Sequence, residues 1–184
     1  GQTVAGFSKK GIAYIGVTRD DKAAGAARED GFIAGLKNTG ITLLEENKRT
    51  SAFTLESGYE AALDLLESKC DIDVISCATD TIAAGAIEAI QTYLKKQVPA
   101  NAADAGARMR YILENTSIRV TGFGDNQMLK AVTGGIPTIH FGYKTSGIRG
   151  AELLLDSIER GEQIPIEMKL GFHLVGTDLS DSEN

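Results

Sequence analysis

At 184 residues, 42% of them hydrophobic, the chain is long and apolar enough for one large α/β domain or two small lobes whose core needs no metal or disulfide. Its formal charge of −6 argues against a bare nucleic-acid surface, because phosphate binding takes clustered Lys and Arg. Two cysteines, Cys70 and Cys77, are too few and too irregular for a disulfide framework or a zinc site and read as reduced thiols of a cytoplasmic protein. With no secretory leader and no apolar run of membrane-spanning length, the chain reads as soluble, with no membrane partner.

Residues 1–10 have no clear period and read as an extended lead-in. Ile12 to Val17 is apolar throughout, as expected of a strand covered on both faces. Thr18-Arg19-Asp20-Asp21 closes it and supplies caps for a helix from Ala24, in which Ala24, Ala27, Gly31 and Gly35 share a face with Phe32 and Leu36; Asn38-Thr39-Gly40 ends that helix. A second strand is expected at Ile41 to Leu44. Lys48 to Thr54 reads as a polar loop with one aromatic, Phe53. A helix capped by Ser57 follows, with Tyr59, Ala62, Leu63 and Leu66 on one face.

Asp73 to Ala78 is an apolar run of strand length, and Ala83, Ala86, Ile87, Ile90 and Leu94 form the stripe of a helix behind it. Between them lies the polar corner Thr79-Asp80-Thr81. Ligands of open α/β sheets collect at such strand ends, so this corner is the expected floor of a binding cleft. Residues 95–105 read as a loop and Ala105 to Glu114 as a helical turn or two. Strands are expected at Ile118 to Phe123, Thr138 to Phe141 and Met168 to Val175, and helices at Asn126 to Val132 and Ser146 to Arg160, the latter striped with Ile148, Ala151, Leu155 and Ile158. An acidic tail runs from Asp178 to Asn184. The repeated strand–helix alternation means right-handed βαβ units and a doubly wound, mainly parallel sheet.

Arg28, four residues from Ala24 and from Phe32, falls at the edge of the buried stripe. From there its guanidinium either forks onto hydroxyls or a carboxylate, or snorkels past the core to water. Phe53, a lone ring among polar groups, suits the flat C–H face of a sugar, or else fills a small loop core. Asp80 and the pair Asp125-Asn126 follow strand ends, where a carboxylate either meets a ligand or caps the next helix. Gly122-Phe123-Gly124 starts like a dinucleotide fingerprint but lacks the third glycine. His140 and His173 have no metal-ligand spacing and read as packed or surface histidines, and no nucleophile elbow or phosphate-binding loop occurs. Nothing in these residues demands catalysis, a metal or a cofactor.

Taken in order, these segments resemble a known family. Ile12-Ala13-Tyr14-Ile15-Gly16-Val17, Arg28-Glu29-Asp30-Gly31-Phe32, Ser57-Gly58-Tyr59, Cys77 to Ala86, Val120 to Asn126 and Pro137-Thr138-Ile139 are similar to the effector domain of LacI/GalR-family transcriptional repressors, especially the sucrose- and trehalose-type sugar operon repressors. The resemblance runs from about Gly11 to Leu179. It implies a periplasmic-binding-protein-like fold of two α/β lobes with a sugar or sugar phosphate between them.

The resemblance assigns ligand contacts to Arg28, to Phe53 by stacking, to Thr79 and Asp80, to Asp125 and to Tyr143. Thr79 stands where the family often has Asn. Gly124 intervenes before Asp125, which displaces the family's ligand-facing carboxylate by one residue or removes it. The resemblance also divides the chain: residues 1–10 are a remnant of the N-terminal lobe, 11–142 the C-terminal lobe, 143–160 a helix belonging to the N-terminal lobe, and 161–184 the closing strand of the C-terminal lobe and the tail. A DNA-reading helix-turn-helix and most of the first lobe, expected before Gly11, are absent from this chain. Residues 97–117 form a longer connection than the family's usual one. The implied partners are a small-molecule sugar effector, operator DNA through the absent head, and a second copy in a homodimer. A transport sugar-binding protein of the same fold and a small α/β sugar-modifying enzyme are the rival readings.

Overall fold

A computed structural model describes residues 1–94, 104–161 and 165–176 of the chain. The acidic tail and most of the loop after Leu94 lie outside the described residues. Strand β1 (Ile12–Val17) is buried at every position and forms the axis of a parallel sheet in the order β2-β1-β3-β4, with β2 at Lys48–Ser51, β3 at Val74–Cys77 and β4 at Arg119–Thr121. Tyr14 lies opposite Lys48 on one side, and Ile12 opposite Val74 on the other. Strand β5 (Thr138–Phe141) pairs antiparallel with β6 (Phe172–Val175). This ribbon joins the main sheet, because Gly122 N–H donates to Pro137 O at 2.8 Å and Gly124 N–H to Ile139 O at 3.0 Å, so β5 advances alongside β4 in the same direction.

Right-handed crossovers put helix α2 (Arg28–Lys37), between β1 and β2, on one face of the sheet. They put α3 (Leu55–Glu67), α4 (Asp80–Tyr93), α5 (Ala105–Glu114) and α6 (Gln127–Thr133) on the other. The packing agrees: α1 (Gln2–Phe7) lies on α2, while α3 packs on α4, α4 on α5 and α5 on α6. Ile82, Ile87 and Ile90 of α4 are fully buried, each a contribution of about 1.5–3 kcal/mol from the apolar surface it removes from water.

Several expectations are corrected. The lead-in is helical, not extended: Ala5 N–H bonds to Gly1 O and Val4 is buried. Residues 41–44 form no strand, because Gly40 turns left-handed (φ +79°) and Ile41 N–H folds back onto Leu36 O. The strand instead occupies Lys48–Ser51, the first part of the expected loop. As a sheet edge it has one neighbour, so its side chains stay polar: Lys48 pairs with Glu29 and Glu45, and Arg49 with Asp64. The cap of α3 is Thr54, whose Oγ1 accepts from Ser57 N–H, rather than Ser57 itself. Helix α7 (Tyr143–Arg160) starts three residues earlier than Ser146, whose N–H bonds to Gly142 O. The closing strand is short, since β5 offers only Thr138–Phe141 to pair with Phe172–Val175.

Candidate ligand cleft

The parallel strands all end at one edge, and the turns beyond β1, β3, β4 and β5 meet there. After β1, Asp21 Oδ1 accepts the N–H groups of Ala23 and Ala24 at 2.9 and 2.8 Å. The Ala24 bond is the main reason the Asp21 carboxyl is held below its ordinary range. The helix that follows opens with one wide turn, in which Ala26 N–H reaches back five residues to Asp21 O. Gly25 is required in that turn, for a Cβ there would stand 2.0 Å from Thr18 O. The wide turn changes the phase of the helix and brings Arg28 to the sheet edge. There Nη1 donates to Ala78 O at 2.5 Å and Cζ lies 4.0 Å from the centre of the Phe123 ring. Half-burial lowers the Arg28 pKa, but a guanidinium so far above neutrality remains a cation.

Asp80 is buried, and both its oxygens are taken from within. Oδ1 accepts from Thr138 Oγ1 at 2.7 Å and Oδ2 from Asn126 N–H at 2.6 Å, while its own N–H donates to Phe123 O. Gly122 is the only residue that fits against it, since a Cβ would lie 2.0 Å from Asp80 Oδ1. Thr79 is the cap of α4, with Oγ1 accepting from Ile82 N–H. Asp125 sits left-handed (φ +52°), tied by its N–H to Thr138 Oγ1 and by Oδ2 to His140 Nδ1 at 2.8 Å. Tyr143 Oη donates to Gly124 O at 3.2 Å. Asn126 caps α6, accepting from Met128 and Leu129 N–H.

Arg28, Thr79, Asp80, Asp125 and Tyr143 thus form one connected set around the 122–126 turn. Phe53 stands apart: half exposed, it follows β2 on the far side of β1 and does not line the hollow that Arg28 lines. Three further residues build this set. Phe123 carries the Arg28 cation, and its place between two glycines at a strand end was the available signal. Thr138 and His140 share one face of β5 by two-residue alternation, which sets one against Asp80 and the other against Asp125. Beside the set, on the sheet face bearing α1 and α2, the described residues leave a trough of about 740 Å³ whose lining includes Phe7, Phe123, Ile139, Phe141, Phe172 and Leu174. Among the described residues no cluster of His, Cys, Asp or Glu has the geometry to hold a metal, and no helix is long and apolar enough to cross a membrane.

Residues 4–169 match the family of periplasmic binding proteins and the sugar-binding domain of the LacI family, and the chain belongs to that family. It is 28% identical over 136 residues to the sucrose operon repressor of Staphylococcus xylosus, covering 74% of this chain and 36% of that protein. The fold is similar to that of a transcriptional regulator CelR–cellobiose complex (TM-score 0.71, 23% identity, 89% of this chain and 45% of the other). It is also similar to the lac repressor dimer bound to operator and the anti-inducer ONPF (TM-score 0.73, 18% identity, 94% and 53%). The chain therefore spans about a third to a half of the length of these relatives.

Proposed function

We propose that the chain is the ligand-sensing part of a LacI-type transcriptional regulator. In this reading it binds a sugar or sugar phosphate at the carboxyl edge of its sheet and passes the event to a DNA-binding head, within a cytoplasmic homodimer and without catalysis. The observation that carries the reading is the Arg28–Phe123 pair at the strand ends, backed by the 122–126 turn locked through Asp80, Asp125 and Tyr143. A guanidinium lying against a ring offers N–H donors beside an apolar face, which matches the hydroxyls and C–H faces of a sugar. Residues 11–142 with the β6 strand make one lobe. Helix α7, which buries no residue of its own, belongs with a second lobe that closes over the ligand.

A ligand shifts such a two-state device only by its preference for one state, and a tenfold preference corresponds to about 1.4 kcal/mol. The test is a sugar panel read by thermal shift on the native chain and on Arg28→Ala. The substitution is expected to abolish the ligand-induced shift while costing the unliganded protein about 1–3 kcal/mol, the scale of one hydrogen bond and one cation–π contact. An undiminished ligand response in Arg28→Ala rejects the assignment.

A further inference from the structure

We infer that the Tyr14 hydroxyl is a further ligand contact of this cleft, a hydrogen-bond donor that the unliganded chain leaves unpaired and that an oxygen of the bound molecule takes up. The inference rests on the ligand-sensing reading above and adds a residue, and with it a selectivity, to the same site. Tyr14 is 3% exposed, and its Oη is the single buried side-chain nitrogen or oxygen without a partner among the described residues. A buried hydroxyl left unpaired destabilises a fold, and a phenylalanine ring would fill the same space without that cost.

The sheet decides where that hydroxyl points. Tyr14, Ser76 and Thr121 stand in register on β1, β3 and β4. Thr121 Oγ1 donates to Ser76 Oγ at 3.0 Å, so these two answer each other. The Tyr14 ring leaves the row: it is stacked on Phe32 of α2, with ring centres 4.9 Å apart, and lies over Gly16. A Cβ on Gly16 would stand 2.8 Å from Tyr14 Cε1, so the glycine gives the ring room to run along β1 toward its carboxyl end. Arg28 lies at that edge, and Tyr14, Arg28 and Phe123 line the same hollow. Arg28 and Tyr14 act on each other through space, and burial raises the Tyr14 pKa further above neutrality, so the hydroxyl remains a donor.

Two donors therefore face the same part of the cleft. Arg28 has N–H groups beyond the one bonded to Ala78 O, and Tyr14 has its O–H. A sugar hydroxyl or ring oxygen, with two lone pairs, accepts from both, whereas a C–H at that place leaves both unmet. Unmet buried donors are what make a polar site reject an analogue that lacks the oxygen. Oη is sealed from solvent in the unliganded chain, so the contact takes a turn of the half-buried Arg28 side chain away from Ala78 O.

Tyr14→Phe removes the oxygen and keeps the ring. The native chain, Tyr14→Phe and Arg28→Ala are each titrated calorimetrically with sucrose, trehalose and cellobiose, and each is melted without ligand. For a sugar that binds the native chain, Tyr14→Phe is expected to raise Kd at least about fivefold, the scale of one buried hydrogen bond. Its unliganded melting point is expected to stay level or rise, because the deleted donor had no partner; a hydroxyl that braces the fold would move it down instead. A smaller change in Kd, with binding lost in Arg28→Ala, overturns this inference and leaves the sensor assignment standing. A lower unliganded melting point in Tyr14→Phe reveals a partner inside the protein and likewise overturns it. Binding unchanged in both variants, or no sugar bound by the native chain, overturns the inference together with the assignment beneath it.

Discussion

Asp80 opens α4 just beyond β3 and points into the fold. Its oxygens hold Thr138 on β5 and the Asn126 N–H at the head of α6, so one carboxylate fastens three consecutive turns of the cleft edge. Removing it leaves a buried hydroxyl and a partly buried N–H without acceptors. Asp80→Ala is therefore expected to cost about 3 kcal/mol in urea denaturation, from two lost bonds to a charged group and the unpaired donors left behind. A loss under about 0.5 kcal/mol would mean that the turn is held by something else. From the sequence, Asp80 read first as a helix cap and second as a ligand group, because both roles put a carboxylate after a strand. Only the positions of Thr138 and Asn126, some fifty residues later, reveal the third role. Arg28 was legible in part: its four-residue spacing from Phe32 put it at the edge of the buried stripe, but the wide turn that sets its phase relative to Ala24 did not show.

The helix pair α3–α4 depends on two glycines. Gly58 backs onto Ile82, and a Cβ on Gly85 would lie 2.2 Å from Leu55 O and 2.5 Å from Tyr59 N, both backbone atoms that cannot step aside. Gly85→Val should force the helices apart at a cost of about 1–3 kcal/mol or more, the range for overpacking. Gly31→Ala in α2, where an added Cβ meets nothing, should stabilise by up to about 1 kcal/mol through helix propensity. Equal and small effects of the two substitutions in thermal melts would refute the close approach. The apolar elements were legible here: β1 and the stripes of α3 and α4 show in the spacing of Val, Ile, Leu and Ala. Strand β2 was not, because a sheet edge places no apolar demand on Lys48-Arg49-Thr50-Ser51. The wide turn at Lys22–Ala27 was invisible for a different reason, since Gly25 signals it only through the proximity of Thr18 O.

Across the whole molecule, α7 stands out: Leu154, Leu155 and Ile158 are each 60% exposed or more, and no residue of the helix is buried. If that face contributes nothing to this chain's own stability, Leu155→Lys with Ile158→Lys should leave the unfolding free energy within about 0.5 kcal/mol, the usual range for surface positions, and should reduce concentration-dependent light scattering. A loss beyond about 2 kcal/mol would show that the helix packs on its own chain after all. By itself the sequence determined the parallel α/β winding, the buried stripes and the amphipathic character of the last helix, because hydrophobic periodicity is local and is written residue by residue, while its ordered motifs carried the resemblance to the family. The tertiary structure decided that Asp80 braces Thr138 and Asn126, that His140 answers Asp125, that Phe123 rather than Phe53 meets Arg28, and that the β5–β6 ribbon extends the sheet beyond β4. Those outcomes depend on groups far apart in sequence finding one another at bonding distance, and no local pattern of residues encodes that distance.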